Sequence, residues 1–368
     1  MKRTLVILLG CCLGVNSCYE LDLNPLSQAS SENWYSSETE IEMSVKDFYR
    51  DDFWPLDNED KTDNFIYRET PSEILKGTFN GQSDDVTKLW ANQYKSIARA
   101  NTILANMDKA VNMGISEVKL KQYEGEAFFK ELLVMPRLVT YFGDVIYVTE
   151  VVDIDKAFTL GRTAKSEIVP KIYEDYDKAI ENLPEKYSGL SSQRATKGAA
   201  LALKARFALY MGDWDIVADA TKKCMDLGIY KLHKDYSDLF LSTTKNSEES
   251  IFLLPRSIEY KVTLGNWTVM NEVSRNPGGW GAFAPSWIYL PPIPVPMACQ
   301  LMNHPCLIRI IRSKIDDPRC TATIVEFGTR HLGFEYNPHP DAVQVMNYNT
   351  GKMQKNNDAR VNAQICFF

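Results

Sequence analysis

The sequence is poor in the residues that mark several common classes of function. Its 368 residues include only four histidines and eight cysteines. The histidines form no HExxH or HxH pattern, which argues against the commonest zinc enzymes. Eight cysteines are too few for a disulfide scaffold in a chain of this length. Acidic side chains outnumber basic ones by 48 to 41, so the basic excess that a nucleic-acid binder needs is missing.

Long apolar runs are also missing, apart from a short one at the N-terminus. Thr4 to Gly14 is apolar over 11 residues and follows Lys2 and Arg3, whereas a membrane-spanning helix needs about 20 residues. This pattern predicts a secretory signal peptide over residues 1–17. The hydrophobic fraction of the whole chain is an ordinary 45%, which excludes wholesale disorder.

The signal peptide leads into Val15-Asn16-Ser17-Cys18, which resembles a bacterial lipobox, where a small residue precedes the cysteine that is lipidated. Cys11 fits the pattern locally, but cleavage there would leave only a stub of the apolar run. Cys18 is therefore the predicted lipidation site, and acyl chains on it would anchor the mature chain to a membrane. A plain signal peptide followed by a chance cysteine is the alternative. Five unmodified cysteines would remain, an odd number that cannot all pair within one chain.

Apolar residues recur at steps of three and four along much of the chain, which predicts a mainly helical fold. The predicted helices cover residues 34–49, 84–110, 116–142, 166–183, 196–211 and 214–227. Pro136 lies inside the third of them and predicts a kink, because a proline in a helix interior costs about 3 kcal/mol. Trp34, Trp90 and Trp214 fall on the apolar stripes and are predicted to be core residues.

The clearest helical pair is 196–211 with 214–227, joined by Gly212-Asp213. Small residues such as Ala199 and Ala200 let two helices approach closely, as in tetratricopeptide-like hairpins. Arg206 and Asp213 are interpreted as a structural ion pair or cap in this hairpin. From about residue 230 the periodicity fades while glycine, proline and aromatic residues increase. This change predicts long surface loops with a few short strands, where binding residues are usually found.

Several short motifs follow one another in order between residues 18 and 290. They are the lipobox, Leu21-Asp22-Leu23-Asn24-Pro25, and the segments 94–101, 141–145, 195–206, 209–214, 235–240 and 248–252. In this order they resemble the SusD/RagB family of outer-membrane, glycan-binding lipoproteins. One departure precedes Tyr141: family members usually carry an Arg-Ala pair and an aromatic ladder there, where this chain has Lys130-Glu131 and Met135-Pro136.

The resemblance implies a mainly α fold, in which tetratricopeptide-like helical hairpins pack against a loop-rich region with few short strands. It also implies a lipid-anchored protein exposed on the cell outer membrane, with no cofactor and no enzymatic activity. Such a protein would bind oligosaccharides or polysaccharides and pass them to a SusC-like TonB-dependent outer-membrane barrel.

One segment departs from the rest of the chain in composition. Residues 285–315 contain no aspartate or glutamate and are rich in proline, a shift of the kind that charge-pattern analysis detects. We interpret about residues 288–315 as the product of a compensated pair of frameshifts. The alternative is a genuine metal cluster of Cys299, His304 and Cys306, although its spacing matches no standard zinc module.

These features predict four regions in the chain. They are the signal peptide at 1–17, a SusD-like helical and loop region at 18–290, the aberrant segment at 291–315, and a remnant of the C-terminal region at 316–368. The resemblance implies a longer chain, so we expect this one to be truncated.

Candidate binding residues follow from the chemistry of sugar recognition. Aromatic faces cover the apolar side of pyranose rings, and planar polar side chains bind the hydroxyl groups. Loop aromatics beside such groups are Trp280, Trp267 next to Asn266, and Tyr67 next to Arg68. Trp280 is the strongest candidate, because the surrounding glycines cannot cover its ring. For each aromatic residue the alternative is core packing or the anchoring of a loop.

Catalytic motifs are not apparent in the sequence. A glycosidase needs a protonated and an ionised carboxyl group flanking a cleft, and nothing marks such a pair. Asp84 and Asp85 are predicted to begin a helix, where negative charge suits the helix dipole. Two alternative functions nevertheless stay open: a glycan-active hydrolase, and a helical-repeat scaffold that binds only protein.

Overall fold

The computed structural model describes part of the chain. The described residues are 34–50, 53–54, 61–62, 65–67, 70–189, 193–241, 243–244, 246–254, 256–259, 261–263, 266–285, 322, 325 and 328–359, without the side chains of 65, 66, 266–268, 284 and 285. The predicted lipidation site Cys18, the candidate Arg68, the segment 291–315 with its Cys299, His304 and Cys306, and the end of the chain all lie outside these residues.

Eleven α-helices dominate the described part of the chain, which confirms the predicted mainly α class. They are α1 Glu38–Lys46, α2 Glu73–Lys76, α3 Asp84–Ala105, α4 Met107–Asn112, α5 Glu117–Phe142, α6 Ile154–Ala157, α7 Lys165–Asn182, α8 Lys197–Met211, α9 Trp214–Asp226, α10 Tyr236–Leu239 and α11 Asn266–Glu272. None of the helices described here has both the length and the apolar character needed to cross a membrane.

Two helix boundaries differ from the prediction because polar side chains bind backbone groups. Helix α1 begins at Glu38 rather than Trp34, since Ser37 and Glu40 form a capping box that fixes the first turn. The predicted helix over 84–110 is divided at Asn106, whose side-chain amide donates to the Thr102 carbonyl at 2.7 Å. A local bond of this kind competes with continuation of the helix, and α4 follows as a separate element.

The strands in the described part of the chain are few and short, as predicted. Strand β1 (Phe65–Tyr67) pairs antiparallel with β2 (Phe283–Pro285), and the register places Tyr67 opposite Phe283. A second, four-stranded antiparallel sheet has the order β3-β4-β5-β6 and is formed by Arg330–His331, Phe334–Glu335, Gln344–Asn347 and Lys352–Lys355. The first sheet thus joins the segment at Tyr67 to a segment more than 200 residues later.

Helix α5 lies at the centre of the helical region and packs against α3, α7 and α8. Its buried apolar side chains combine with those of α7 and α8 in the largest core cluster, which includes Phe129, Leu132, Leu138, Ile168, Ile172, Tyr176 and Phe207. Each such side chain contributes about 1.5–3 kcal/mol of transfer free energy when fully buried. A second core cluster, around Ile41, Val45 and Ile103, packs α1 and α3 against the first half of α5.

The predicted tetratricopeptide-like hairpin is confirmed in helices α8 and α9. Gly212 ends α8 with a φ of 81°, a left-handed conformation that a glycine adopts without strain. Leu201 and Ala205 on α8 face Ala220 and Cys224 on α9 in a small core cluster.

The prediction that Trp214 is a core residue is wrong. Its side chain is 67% exposed, because it is the first residue of α9 and lies off the stripe that carries Ala220 and Cys224. Trp34 and Trp90 are partly buried and pack against the core clusters, as predicted.

Lys130 and Glu131 are buried inside the helical region, at the point where the sequence departs from the pattern that the resemblance implies. The Lys130 ammonium group donates to the Phe48 carbonyl at 3.0 Å. It also lies 4.7 Å and 4.9 Å from the ring centroids of Phe53 and Trp54. Burial lowers the pKa of Lys130 to about 7. Two aromatic rings from the N-terminal segment therefore lie against the lysine.

Pro136 does not break helix α5, which runs unbroken from Glu117 to Phe142. A proline has no N–H group, so it cannot donate to the carbonyl four residues earlier, which is that of Leu132. The hydroxyl of Tyr176 on α7 donates to this carbonyl at 3.0 Å. The neighbouring helix thus supplies the hydrogen bond that the proline removes.

Replacement of Tyr176 by phenylalanine is expected to destabilise the fold by about 1–2 kcal/mol, because the Leu132 carbonyl would stay buried without a donor. Denaturant unfolding of both proteins measures this change. The control is Tyr210→Phe, since the Tyr210 side chain is 64% exposed. In a Pro136→Ala background the restored amide N–H can bind the carbonyl, so the cost of Tyr176→Phe should shrink. An unchanged cost in that background would refute the compensation.

Candidate functional site

The loop that carries Trp280 folds back against helix α11. The Trp280 amide donates to the Met270 carbonyl at 2.6 Å, and the Ala282 amide donates to the Asn271 carbonyl at 2.7 Å. The Gly281 amide donates to the Val273 carbonyl at 2.8 Å. Residues 273–282 therefore form a closed loop on the end of the helix. We call this the Trp280 loop.

Glycines allow the backbone of the Trp280 loop to close. Gly278 has a φ of 105°, which side-chain-bearing residues rarely adopt. A Cβ atom on Gly279 would collide with the backbone carbonyls of Val273 and Ser274. The Gly-Gly pair before Trp280 is thus required by the loop geometry.

The Trp280 loop is attached to the end of the second sheet by a buried polar network. The Asp358 carboxylate accepts from the Arg275 amide at 2.6 Å and from the Asn276 side-chain amide at 2.7 Å. The same Asn276 amide group donates to the Asn356 side chain at 2.8 Å. In return, the Asn357 backbone amide donates to the Asn276 side-chain oxygen at 2.8 Å. Because most of these groups are buried, loss of any partner would leave a costly unpaired polar atom.

The structure brings several predicted site residues onto one unit. Tyr67 lies on β1 opposite Phe283 of β2, and their ring centroids are 5.4 Å apart. Strand β2 directly follows the Trp280 loop, and α11, which contains Asn266 and Trp267, directly precedes it. For Asn266 and Trp267 the structure describes the backbone only.

Trp280 is 42% exposed, although its backbone is fixed by the helix and by the Arg275 guanidinium, which donates to its carbonyl at 3.2 Å. A half-exposed indole on a rigid loop can pack against the apolar face of a ligand ring.

His331, at the start of the second sheet, has a pKa lowered by burial, which Asp358 partly offsets. In the described part of the chain no group of three metal-ligating side chains occurs.

Sequence reasoning missed the polar residues that hold this loop. Asn356 and Asp358 are about 80 positions from Asn276 in the chain, and no periodicity links them. Asn271 was also missed: it is fully buried, and both polar atoms of its side chain lack a hydrogen-bond partner among the described residues. A polar Asn-Asn-Asp run at 356–358 was the only signal available.

Comparison with known proteins places this architecture in one family. A family model whose description reads "starch-binding associating with outer membrane" matches residues 23–209. The SusD-like protein P25 of Formosa agariphila is 28% identical over 176 residues, which are 47% of this chain and 32% of that protein. The chain thus spans about a third of this curated relative.

Solved structures show the same fold. A SusD-like carbohydrate-binding protein from Bacteroides fragilis superposes with a TM-score of 0.70 at 23% identity, over 84% of this chain and 63% of that one. A laminarin-binding SusD-like protein superposes with a TM-score of 0.53 at 23% identity, over 59% of this chain and 51% of that one. Since the family model covers half of the sequence, the chain belongs to the SusD-like family.

Proposed function

We propose that this protein binds oligosaccharides or polysaccharides on the cell surface without cleaving them. The observation that carries the proposal is Trp280, a half-exposed indole on a loop that a helix and a buried polar network hold in place. The family description, which names starch binding and association with the outer membrane, supports it. A similar fold in a laminarin-binding protein supports the same class of ligand.

The proposed ligand-binding residues are four on the unit around the Trp280 loop, together with Arg68, which follows Tyr67 in the sequence. Trp280 and Trp267 would stack on pyranose rings, while Asn266 and Arg68 would bind hydroxyl groups. Tyr67 would extend the aromatic surface from β1, where its ring lies against Phe283. A site of this kind favours a chain of sugars, because several rings contact it at once.

Lipidation at Cys18 would hold the protein on the outer membrane, and the partner would be a SusC-like TonB-dependent barrel that receives the glycan. The family description, with its outer-membrane association, supports the location. Incorporation of radiolabelled palmitate tests the anchor, and copurification of a barrel protein from solubilised membranes tests the partner.

Glu131 has the raised pKa of a glycosidase acid, but its burial argues against a catalytic role in a hydrolase. A glycosidase acid needs a raised pKa and contact with the substrate. Glu131 has a pKa of about 8, but it is 3% exposed in the helical core. Reducing-sugar release from a polysaccharide panel tests the alternative, and turnover that survives purification would contradict binding without cleavage.

Replacement of Trp280 by alanine is expected to weaken binding to a polysaccharide such as laminarin or starch by about 10- to 30-fold. Truncation of an aromatic residue at the centre of a binding surface typically costs about 2 kcal/mol. Affinity electrophoresis first identifies a retarding polysaccharide, and calorimetry with its oligosaccharides then gives the dissociation constants.

The matched control is Trp214→Ala, which removes another exposed indole from helix α9, outside the unit described above. This variant should bind like the unaltered protein. Equal losses in both variants, or no loss in Trp280→Ala, would contradict the site. Circular dichroism confirms that each variant is folded before binding is compared.

A further inference from the structure

A groove lies between helices α5 and α8, on the helical side of the described chain. Its volume is about 190 Å³. Its lining includes the apolar side chains of Leu132 and Pro136 from α5 and of Phe207 from α8, and Tyr176 of α7 contributes as well. Leu132, Pro136, Tyr176 and Phe207 are buried. They give the groove a rigid apolar floor.

The rim of the groove repeats one pair of residues on both helices. Arg137 and Tyr141 are four positions apart on α5, and Arg206 and Tyr210 are four positions apart on α8. Residues at this spacing share a helix face. The tyrosine side chains are 56% and 64% exposed. Two guanidinium groups and two aromatic rings therefore border one small groove.

Two arginines line the groove of a protein whose net charge is −7. No acidic side chain occurs among the described residues that line it. The sequence predicts an ion pair or a cap for Arg206 and Asp213. Asp213 is the N-cap residue of α9, and the ion pair with Arg206 does not form. Asp213 instead accepts a hydrogen bond from the Tyr173 hydroxyl, and within the described chain no carboxylate lies at ion-pair distance from Arg206. Arg206 thus has its charge available to a ligand.

We propose that this groove binds a carboxylate-bearing sugar ring of an acidic oligosaccharide, and the proposal rests on the glycan-binding function proposed above. The planar fork of a guanidinium group matches a carboxylate with two parallel hydrogen bonds. The ring faces of Tyr141 and Tyr210 can pack against the apolar face of a pyranose. The protein would then have two kinds of subsite, one at Trp280 for neutral rings and one at Arg206 for charged rings.

The size of the groove favours a single ring over a larger ligand. Sites for drug-sized molecules measure about 300–1,000 Å³, and this groove is smaller. An acidic peptide could offer the same charge, but it has no pyranose face for the tyrosines. We therefore assign the groove to a hexuronate unit rather than to a peptide side chain.

Calorimetry with oligogalacturonate and with its carboxyl-reduced form tests the proposal. The unaltered protein should bind the acidic oligosaccharide at least tenfold more tightly than the reduced one, and less tightly as salt concentration rises. Arg206→Gln keeps a polar side chain but removes its charge, and it should weaken acidic binding about tenfold or more. The matched control is Lys222→Gln, because Lys222 is exposed on α9 and is not a lining residue.

The outcomes separate this proposal from the proposed function. Binding of neutral laminarin oligosaccharides that depends on Trp280, with no binding of oligogalacturonate, would overturn the groove assignment alone. Equal weakening by Arg206→Gln and Lys222→Gln would overturn it too. Displacement of oligogalacturonate by hexaglutamate at matched charge would show that a sugar ring is not required. Failure of every neutral and acidic glycan to bind would refute the proposed function itself.

Discussion

Replacement of Glu126 by glutamine is expected to lower the free energy of unfolding by about 3–5 kcal/mol, the usual cost of removing one partner from a buried ion pair. The Glu126 side chain is completely buried, and its partner Arg194 is 24% exposed. The Arg194 Nε atom donates to both carboxylate oxygens at 3.0 Å. Its Nη2 atom lies 2.8 Å from Oε1, although the angle is not that of a hydrogen bond. Glutamine has the same shape but would leave the guanidinium without a counter-charge.

The Glu126 carboxylate also accepts hydrogen bonds from uncharged side chains. The Tyr49 hydroxyl donates to it at 2.6 Å, and the Gln122 amide donates at 3.2 Å. The Tyr49 oxygen accepts in turn from the Ala195 amide at 2.9 Å, one residue before the cap of α8. This network joins the N-terminal helical segment, α5 and the hairpin, so its loss should reduce the cooperativity of unfolding as well as the stability.

Urea unfolding followed by circular dichroism measures the effect, and Glu117→Gln is the control. Glu117 lies on the same helix with its side chain 81% exposed, so this change should stay within about 0.5 kcal/mol. The double variant Glu126→Leu, Arg194→Met removes both charges and should recover much of the loss. A cost for Glu126→Gln no larger than that for Glu117→Gln would show that the pair does not stabilise the fold.

The local part of the fold could be predicted from the sequence. Helices α5, α7, α8 and α9 lie within a residue or two of the predicted bounds, because their apolar stripes and capping residues are encoded over short spans. The turn at Gly212 was predictable for the same reason, since only a few residues adopt its left-handed conformation freely. The order of short motifs then indicated the family.

Long-range polar contacts could not be predicted in this way. Glu126 and Arg194 are 68 positions apart, and nothing local marks either as a buried partner. The donation from Tyr176 to the carbonyl freed by Pro136 likewise depends on how two helices pack. Trp214 was misplaced because periodicity identifies an apolar residue but not whether a partner covers it at the end of a helix.

The candidate site could be predicted only in part. Composition predicted Trp280 as a binding residue, because the neighbouring glycines have no side chains to cover its ring. The carboxylate of Asp358, which fixes the loop, comes from more than 80 positions away. The groove at Arg206 was missed because an arginine in a helical hairpin is usually part of an ion pair, and only the folded arrangement shows that Asp213 binds Tyr173 instead.

Glu131 provides a further test because its environment disfavours the ionised form. The side chain is 3% exposed, and its Oε1 atom lacks a hydrogen-bond partner among the described residues. Burial, with a smaller contribution from the nearby Asp175 carboxylate, raises its pKa from 4.5 to about 8. Asp175 already accepts from the Lys178 ammonium group at 2.7 Å. Ionisation of Glu131 would therefore place a second negative charge in the core beside one that is already partnered.

The fold should consequently lose stability as pH rises from the pKa of Glu131 in the unfolded chain, 4.5, to its pKa in the native state, about 8. The native state holds the Glu131 proton up to about pH 8, whereas the unfolded chain releases it near pH 4.5. Stability from this group is fully present below about pH 4.5, falls by roughly 1.4 kcal/mol per pH unit and is lost above pH 8. Lys130 has the opposite effect, because its native pKa is lowered to about 7: above that pH it makes the fold more stable as pH rises.

Glu131→Gln should remove this pH dependence. Between about pH 5 and 6.5 the free energy of unfolding of the unaltered protein should fall by roughly 2 kcal/mol relative to that of the variant. Glutamine keeps the shape of the protonated acid, so the two proteins should be similarly stable near pH 4.5 and diverge as pH rises. Glu117→Gln, an exposed change on the same helix, should leave the slope intact. Parallel pH profiles for Glu131→Gln and the unaltered protein would mean that Glu131 ionises in the native core without cost, because water or a cation reaches it there.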